Sequence, residues 1–327
     1  MNRLNSNTLQ IVIPGDFPTH IGGTTHLDRL SEYGEVTLYS TPPQNSAEQI
    51  QRCINADIVL NSRSSLTWPK LVLQALPRLK HISTTSVGLD NIDISEAHNL
   101  GITISHQTGN TATIVAEHEF ALLLSVARQI PTQDKSIRNG IWDPGEGQHI
   151  FLKGKTIGII GMGNTGIEMA KFAAAFGMNV ISWTFNPQKN RNLPVNVSFL
   201  NFDELLAKSD VISLHTALSN ETKYLIGKRE LDLMKPSAIL INGSRGGVIN
   251  TNALVNALNN GQLYGVGLDV FETEPLQSDH PLMHFDNVVL TPHAADATAE
   301  GLDYLNRDSV DHIINFIEGN PEGIYQQ

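Results

Sequence analysis

Short runs of Ile, Val and Leu recur through the first hundred residues, and the stretches between them place apolar residues at a helical period. LQIVIPGD, EVTLYS, ADIVLNS, LKHISTTS and GITISHQ predict strands, while TTHLDRLSEYG, NSAEQIQRCIN and WPKLVLQALP predict helices. Strands that are apolar throughout, rather than alternating, are buried on both faces. Their regular exchange with helices predicts a parallel sheet covered on both sides. The rhythm breaks at TATIVAEHEFALLLSVARQIPTQDKSIRNG, a long helical stretch interrupted at Pro131. It restarts with TIGII, NVISWT, DVISLHT, SAILINGS, LYGVGLDV and NVVLTPH as strands. EMAKFAAAF, FDELLAK, KRELDLM and TNALVNALNN are the helices between them. TAEGLDYLNRDSVDHIINFIEG predicts one more amphipathic helix, which has no sheet of its own and must pack on one of the two units.

Length and composition narrow the picture. A chain of 327 residues suits two domains at roughly 100–200 residues each. With 40% hydrophobic residues it can build sizeable cores. No apolar run has the ~18 residues of a membrane span, and the polar start MNRLNSNTLQ lacks the pattern of a secretory signal, so a cytoplasmic protein without a membrane partner is expected. A net charge of −11 argues against a broad nucleic-acid surface, yet one local arginine can still serve a small anion. The single cysteine, Cys53, forms no internal disulfide and belongs to no zinc cluster; it reads as a buried small hydrophobe or as a reactive thiol. No metal is expected.

Candidate chemistry begins at GMGNTG, residues 161–166, between the strand TIGII and a helix. Gly161 permits a tight turn, Gly163 lets a pyrophosphate approach the backbone, and Gly166 lets helix and strand pack closely. The pattern marks a dinucleotide site, with a purely structural turn as the alternative. An acidic residue is expected about 20 residues on, to bind the ribose hydroxyls of NAD. Here Thr184 ends the second strand and Asn186, Lys189 and Arg191 follow it. Without that carboxylate, and with two cations that can pair with a 2′-phosphate, NADP is expected in preference to NAD; in the alternative, both cations are solvated loop charges.

Reduction of a ketone with a nicotinamide requires a group to hold the substrate and an acid to protonate the new alkoxide. Arg245, in INGSRGGVIN, follows a strand and can make a bidentate contact with a 2-oxo acid, although an isolated arginine also suits a surface. Glu274 in LDVFETEPL and His293 in LTPHAAD each lie in a loop after a strand. A carboxylate beside an imidazole favours the imidazolium, which is the form a proton donor needs.

Taken together, TTSVGLDNID, NTATIVAEH, GKTIGIIGMGNTG, SRGG, GLDVFETEPL and LTPHAADAT resemble the D-isomer-specific 2-hydroxyacid dehydrogenases over nearly the whole chain. The resemblance implies two doubly wound parallel-sheet domains of the α/β class. A Rossmann cofactor domain (107–291) would be inserted into a flavodoxin-like substrate domain (1–106 plus 292–327). It implies reversible hydride transfer between NAD or NADP and a small 2-oxo acid, giving a D-2-hydroxy acid, with glyoxylate or hydroxypyruvate as candidates. It assigns substrate orientation to Arg245 and the acid–base pair to Glu274 and His293. Asn164 and Thr165 would lie against the pyrophosphate, Gly243 and Ser244 beside the nicotinamide half, and Asp269 near the nicotinamide; in the alternative, Asp269 is a buried structural carboxylate. Val87 and Gly88 would hold the substrate carboxylate through backbone N–H groups; in the alternative, they form an ordinary turn. Trp142 matches a recurrent family tryptophan of the inter-domain region, with packing or substrate contact as its role; His118 lies on a helix with a structural role, and such helices imply a homodimer. His215 either lines the adenosine side or sits in the core, and Arg63 lies beside the substrate or on the surface. Ala217 stands where many relatives have proline. Two rivals share the fold: a regulatory, corepressor-like protein that binds NAD(H), and a phosphite- or formate-type dehydrogenase. Pro292 disfavours the formate reading, because such enzymes usually carry glutamine before the catalytic histidine.

Overall fold

The computed structural model describes residues 9–64, 66–145, 148–320 and 323–325. The chain folds into two compact units, the first made of residues 1–111 and 298–327 and the second of residues 112–297.

The first unit carries a five-stranded parallel sheet in the order β2-β1-β3-β4-β5. Its strands are β1 (Gln10–Ile13), β2 (Glu35–Leu38), β3 (Ile58–Asn61), β4 (His81–Thr84) and β5 (Thr103–Ser105). This is the flavodoxin-like order. β3 and β4 are buried at every position, while the edge strand β2 alternates exposed and half-buried residues. The crossovers run through α1 (Thr25–Ser31), α2 (Ser46–Cys53), α3 (Lys70–Gln74) and α4 (Ile94–Asn99). α4 is absent from the sequence reading; its six residues are too short for a periodic signal, and Asp93 starts it by accepting from the Glu96 N–H.

The second unit opens with α5 (Ala112–Ala127) and α6 (Ile130–Arg138). The break falls at Gln129, in the left-handed region at φ 51°, two residues before the expected Pro131. Proline is tolerated in the first turn of a helix, where its missing N–H costs nothing, so Pro131 starts α6 rather than dividing it from α5. The remaining elements are β6 (Thr156–Ile160), α7 (Asn164–Ala175), β7 (Asn179–Trp183), β8 (Ser198–Phe199), α8 (Phe202–Lys208), β9 (Val211–Leu214), α9 (Lys228–Leu233), β10 (Ile239–Asn242), α10 (Thr251–Asn259), β11 (Gly265–Leu268) and β12 (Val288–Leu290). Seven parallel strands lie in the order β12-β11-β10-β9-β6-β7-β8. That is the dinucleotide-binding order extended by one strand, and its order reverses between β6 and β9. β9, β10 and β11 are wholly buried between two apolar clusters, one on each face of the sheet.

The tail helix α11 (Ala299–Glu318) packs on the first unit, where Val310, Ile313, Ile314 and Ile317 join Ile11, Ile13 and Leu60. The unit boundaries fall five or six residues beyond those expected from the sequence. Residues 107–110 stay with the first unit because the Gln107 side chain donates to Ser309 Oγ and Asn110 donates to Asp308. Residues 292–297 stay with the second because Ala294 and Ala295 bond to Asp269. Among the described residues, no helix is long and apolar enough to cross a membrane. Cys53 is fully buried, and burial pushes its thiol up to about 12, which settles it as an inert core residue.

Candidate active site

The functional residues of the second unit gather at the carboxyl ends of its strands. At the end of β6, Gly161 adopts φ +97°, and a Cβ there would lie 2.4 Å from the carbonyl oxygen of His215. No other residue type can make this turn. A Cβ on Gly166 would meet the Gly161 carbonyl oxygen at 2.2 Å, so helix and strand touch through glycine. Gly163 differs: nothing lies within 4 Å of the place a side chain would take, and the space in front of the turn is open. α8 and α10 are capped by the side chains of Asn201 and Asn250. α7 starts from Gly163 with no side-chain cap, leaving its first-turn N–H groups and the positive end of its dipole facing that space. Asn164 is exposed there, with Thr165 half-buried beside it. The residues fit a dinucleotide pyrophosphate.

Thr184 follows β7 as expected. Arg191 reaches back to it: Nε donates to the Met162 carbonyl at 3.0 Å, and a terminal nitrogen lies 3.5 Å from Thr184 Oγ1. A guanidinium therefore stands beside the strand end where an NAD-type site carries a carboxylate.

At the end of β10, Asn242 organises the next turn. Its Oδ1 accepts from the Ser244 N–H at 3.0 Å and from Ser244 Oγ at 2.8 Å, and its Nδ2 donates to the Arg245 carbonyl at 3.0 Å. A Cβ on Gly246 would fall 1.9 Å from the Phe271 carbonyl carbon. The Arg245 turn thus lies directly on the segment leading to Glu274. Gly243, Ser244 and Arg245 are all half-buried.

His293 and Glu274 meet. His293 Nδ1 donates to Glu274 Oε2 at 2.7 Å, and Glu274 Oε1 accepts from the Phe271 N–H at 2.9 Å. The bond to Glu274 raises the imidazole above its ordinary value, opposed by burial and by the nearby charge of Arg245, with Glu274 and Asp269 adding favourable charge. For Glu274, burial works upward, but the bonds from His293 and Phe271 prevail and hold the carboxyl below its usual range. An imidazolium–carboxylate pair beside a guanidinium can bind an anion and deliver a proton next to it.

Asp269, expected beside the nicotinamide, is completely buried with both oxygens engaged by the protein. Oδ1 accepts from Thr291 Oγ1 at 2.6 Å and from the Ala294 N–H at 2.9 Å, while Oδ2 accepts from the Ala295 N–H at 3.0 Å. Burial works to raise its pKa, but the bonds from His118, Thr291 and Ala294 outweigh it and keep the group ionised. His118 Nε2 lies 3.0 Å from Thr291 Oγ1 and 3.5 Å from Asp269 Oδ1. This network frames His293, whose own N–H donates to the Asp269 carbonyl at 2.8 Å and whose φ of +52° is left-handed. That conformation costs about 1–3 kcal/mol for a non-glycine residue and persists because the loop is tied on both sides. Sequence reasoning passed over Asn242 and Thr291; the one signal for them was a polar residue ending an otherwise apolar strand.

Val87 and Gly88 lie on the first unit, in the turn after β4. Val87 is exposed, its carbonyl accepts from His106 Nδ1 at 3.1 Å, and the Gly88 N–H donates to Ser86 Oγ at 3.1 Å. Arg63 follows β3 in the left-handed region, at φ 51°.

Known proteins give this arrangement a family. The sequence profile described as "D-isomer specific 2-hydroxyacid dehydrogenase, NAD binding domain" matches residues 120–295. A glyoxylate reductase of Thermofilum pendens is 42% identical over 314 residues, covering 94% of this chain and 92% of that protein. Among solved structures, an acyclic imino acid reductase in complex with NADPH and D-Arg superposes with a TM-score of 0.89 at 29% identity, covering 97% of this chain and 100% of that one. A glyoxylate reductase from Paecilomyes thermophila does so with a TM-score of 0.87 at 31% identity, covering 97% and 98%. The chain belongs to the D-isomer-specific 2-hydroxyacid dehydrogenase family.

Proposed function

We propose that the protein reduces glyoxylate or a similarly small 2-oxo acid to the D-2-hydroxy acid, and catalyses the reverse oxidation, with NADP favoured over NAD. The observation that carries this reading is the 2.7 Å contact between His293 and Glu274 beside the charge of Arg245.

Gly161, Gly163 and Gly166, with Asn164 and Thr165, hold the pyrophosphate at the uncapped start of α7. Thr184 lies on the ribose side, and Gly243 and Ser244 line the nicotinamide half. When bound, the nicotinamide supplies the hydride in reduction and accepts it in oxidation. Arg245 binds and orients the 2-oxo acid through its guanidinium. His293 carries the proton on Nε2 to the carbonyl oxygen as that oxygen becomes a hydroxyl, and takes it back in oxidation. Glu274 holds Nδ1, which fixes the ring and keeps it protonated. Asp269 anchors the His293 loop.

The glyoxylate reductases among the relatives support glyoxylate as substrate. Arg191 beside Thr184 supports NADP. A homodimer is supported by α6 and the segment after it, where Ile130, Ile137, Ile141 and Phe151 are exposed and Trp142 is 88% exposed. Initial rates with glyoxylate, hydroxypyruvate and pyruvate, each with NADPH and NADH, test the proposal. Turnover of at least one acid, faster with NADPH, is expected. No turnover with any acid would overturn the enzymatic reading, and a clear NADH preference would overturn the cofactor assignment.

A further inference from the structure

Directly beneath the Gly243–Ser244–Arg245 turn lies an acid–imidazole pair that the reaction above does not use. Glu119, on α5, and His215, just after β9, are both sealed from solvent, each side chain 1% exposed, with Glu119 Oε2 3.1 Å from His215 Nδ1. Neither Glu119 oxygen nor His215 Nδ1 has a well-formed hydrogen bond among the described residues, their mutual contact included, so two buried polar groups lie side by side with only each other to satisfy them. His215 Nε2 lies 2.9 Å from Ser213 Oγ, and the His215 N–H donates to the Ile160 carbonyl at 2.8 Å. The carboxyl presses against Gly243, where a Cβ would fall 2.4 Å from Oε1. The groups facing Glu119 are His215 after β9, Gly243 after β10 and the carboxylate of Asp269 after β11, with His118 beside it on its own helix.

We propose that Glu119 is a positioning residue: it stays a carboxylic acid, donates its proton to His215 Nδ1, and supports the turn that carries Arg245. The chemistry of the surroundings favours this form. An ion pair so deeply buried would have to recover a desolvation cost of several kcal/mol per charge, which one contact at 3.1 Å does not do. Burial drives the carboxyl well above its ordinary range and the Asp269 charge pushes it further, against the opposing pull of the Gly243 amide. Burial drives His215 down to about 3. With Nδ1 accepting from Glu119, Nε2 carries the ring proton and donates it to Ser213 Oγ. α5 therefore supports both loops of the proposed site through consecutive residues, His118 under the His293 loop and Glu119 under the Arg245 turn.

The positioning role rests on the proposed function, so the test has one arm independent of turnover. Infrared difference spectra between the parent protein and E119Q at neutral pH should show the carbonyl stretch of one protonated carboxylic acid, present in the parent and lost in the variant; its absence overturns the proton assignment. In kinetics, E119Q, a neutral isostere that still donates, should stay within a few-fold of the parent. E119A leaves His215 without a partner and should lose roughly 10- to 100-fold in kcat/KM for the 2-oxo acid, with the upper limb of the pH profile unmoved. E119A equal to the parent overturns positioning. E119Q as damaged as E119A, or with its upper limb displaced to lower pH, shows that Glu119 acts as an anion. Should E119A fail to fold, the infrared result and E119Q still decide. A parent that turns over no 2-oxo acid defeats the functional reading and leaves the infrared arm intact.

Discussion

Among its described residues, the second unit holds two histidine–glutamate pairs whose protonation is driven in opposite directions. His293 and Glu274 lie 2.7 Å apart with side chains 49% and 35% exposed; the imidazole is raised and the carboxyl lowered, the signature of an ion pair. His215 and Glu119 lie 3.1 Å apart and 1% exposed; the imidazole falls and the carboxyl rises. The side-chain types are the same and the distances differ little, so solvent decides. Water still reaches His293 and shares the cost of its charge, whereas around His215 nothing but protein is available. His81 of the first unit makes the same point without a carboxylate: it is fully buried, bonded to Thr103 and Ser105, and held down at about 3. A charged imidazole needs both a carboxylate and a wet edge, and only His293 has them among these three.

The sharpest break of the comparison is removal of the charged ring. H293A should lower turnover about 10²- to 10⁴-fold, the usual scale of general acid catalysis, while NADPH affinity by fluorescence titration stays nearly constant. Unchanged turnover would take His293 out of the mechanism and leave the charged pair without a purpose.

Removing only the charge of Glu274 tests its cause. His293 is raised, so the protonated donor dominates below its folded value and is lost as pH rises through that value. E274Q removes the main raising contribution and leaves burial and Arg245, which lower it, against only the Asp269 charge, which raises it. The upper limb of kcat/KM for reduction should therefore move to lower pH by about 1–3 units. The lower limb of the oxidation profile, which needs neutral His293, should move the same way. A limb that stays in place would show that another group titrates.

Much of this was legible in the sequence, for stated reasons. Central strands announce themselves as apolar runs, so β9, β10 and β11 were readable, while the two-residue β8 and the six-residue α4 carry too few positions for a period. Arg245, Glu274 and His293 stood out because each is a polar or charged residue just past a strand. Asp269 was visible as a residue but not as a hub, since its partners Thr291, Ala294 and Ala295 act largely through backbone N–H groups, which every residue has. Glu119 was invisible as chemistry: on an apolar helix it reads as one more polar position, and only the folded chain brings it to His215.

The smallest effect should come from Ser213, the last member of the buried chain. S213A deletes the acceptor for His215 Nε2 in a site that water does not enter, leaving a buried donor unpaired at a cost of about 1–3 kcal/mol. E274Q at the exposed pair leaves His293 with water as a substitute partner, so the two variants separate the pairs by stability rather than rate. In urea unfolding, S213A should lower the midpoint with little change in slope, and by more than E274Q does. Its kcat/KM should fall less than that of E119A, because Glu119 still braces Gly243. If S213A is as stable as the parent, then His215 does not donate to Ser213. The proton would sit on Nδ1 instead, Glu119 would have to accept it, and the contrast between the neutral and charged pairs would collapse.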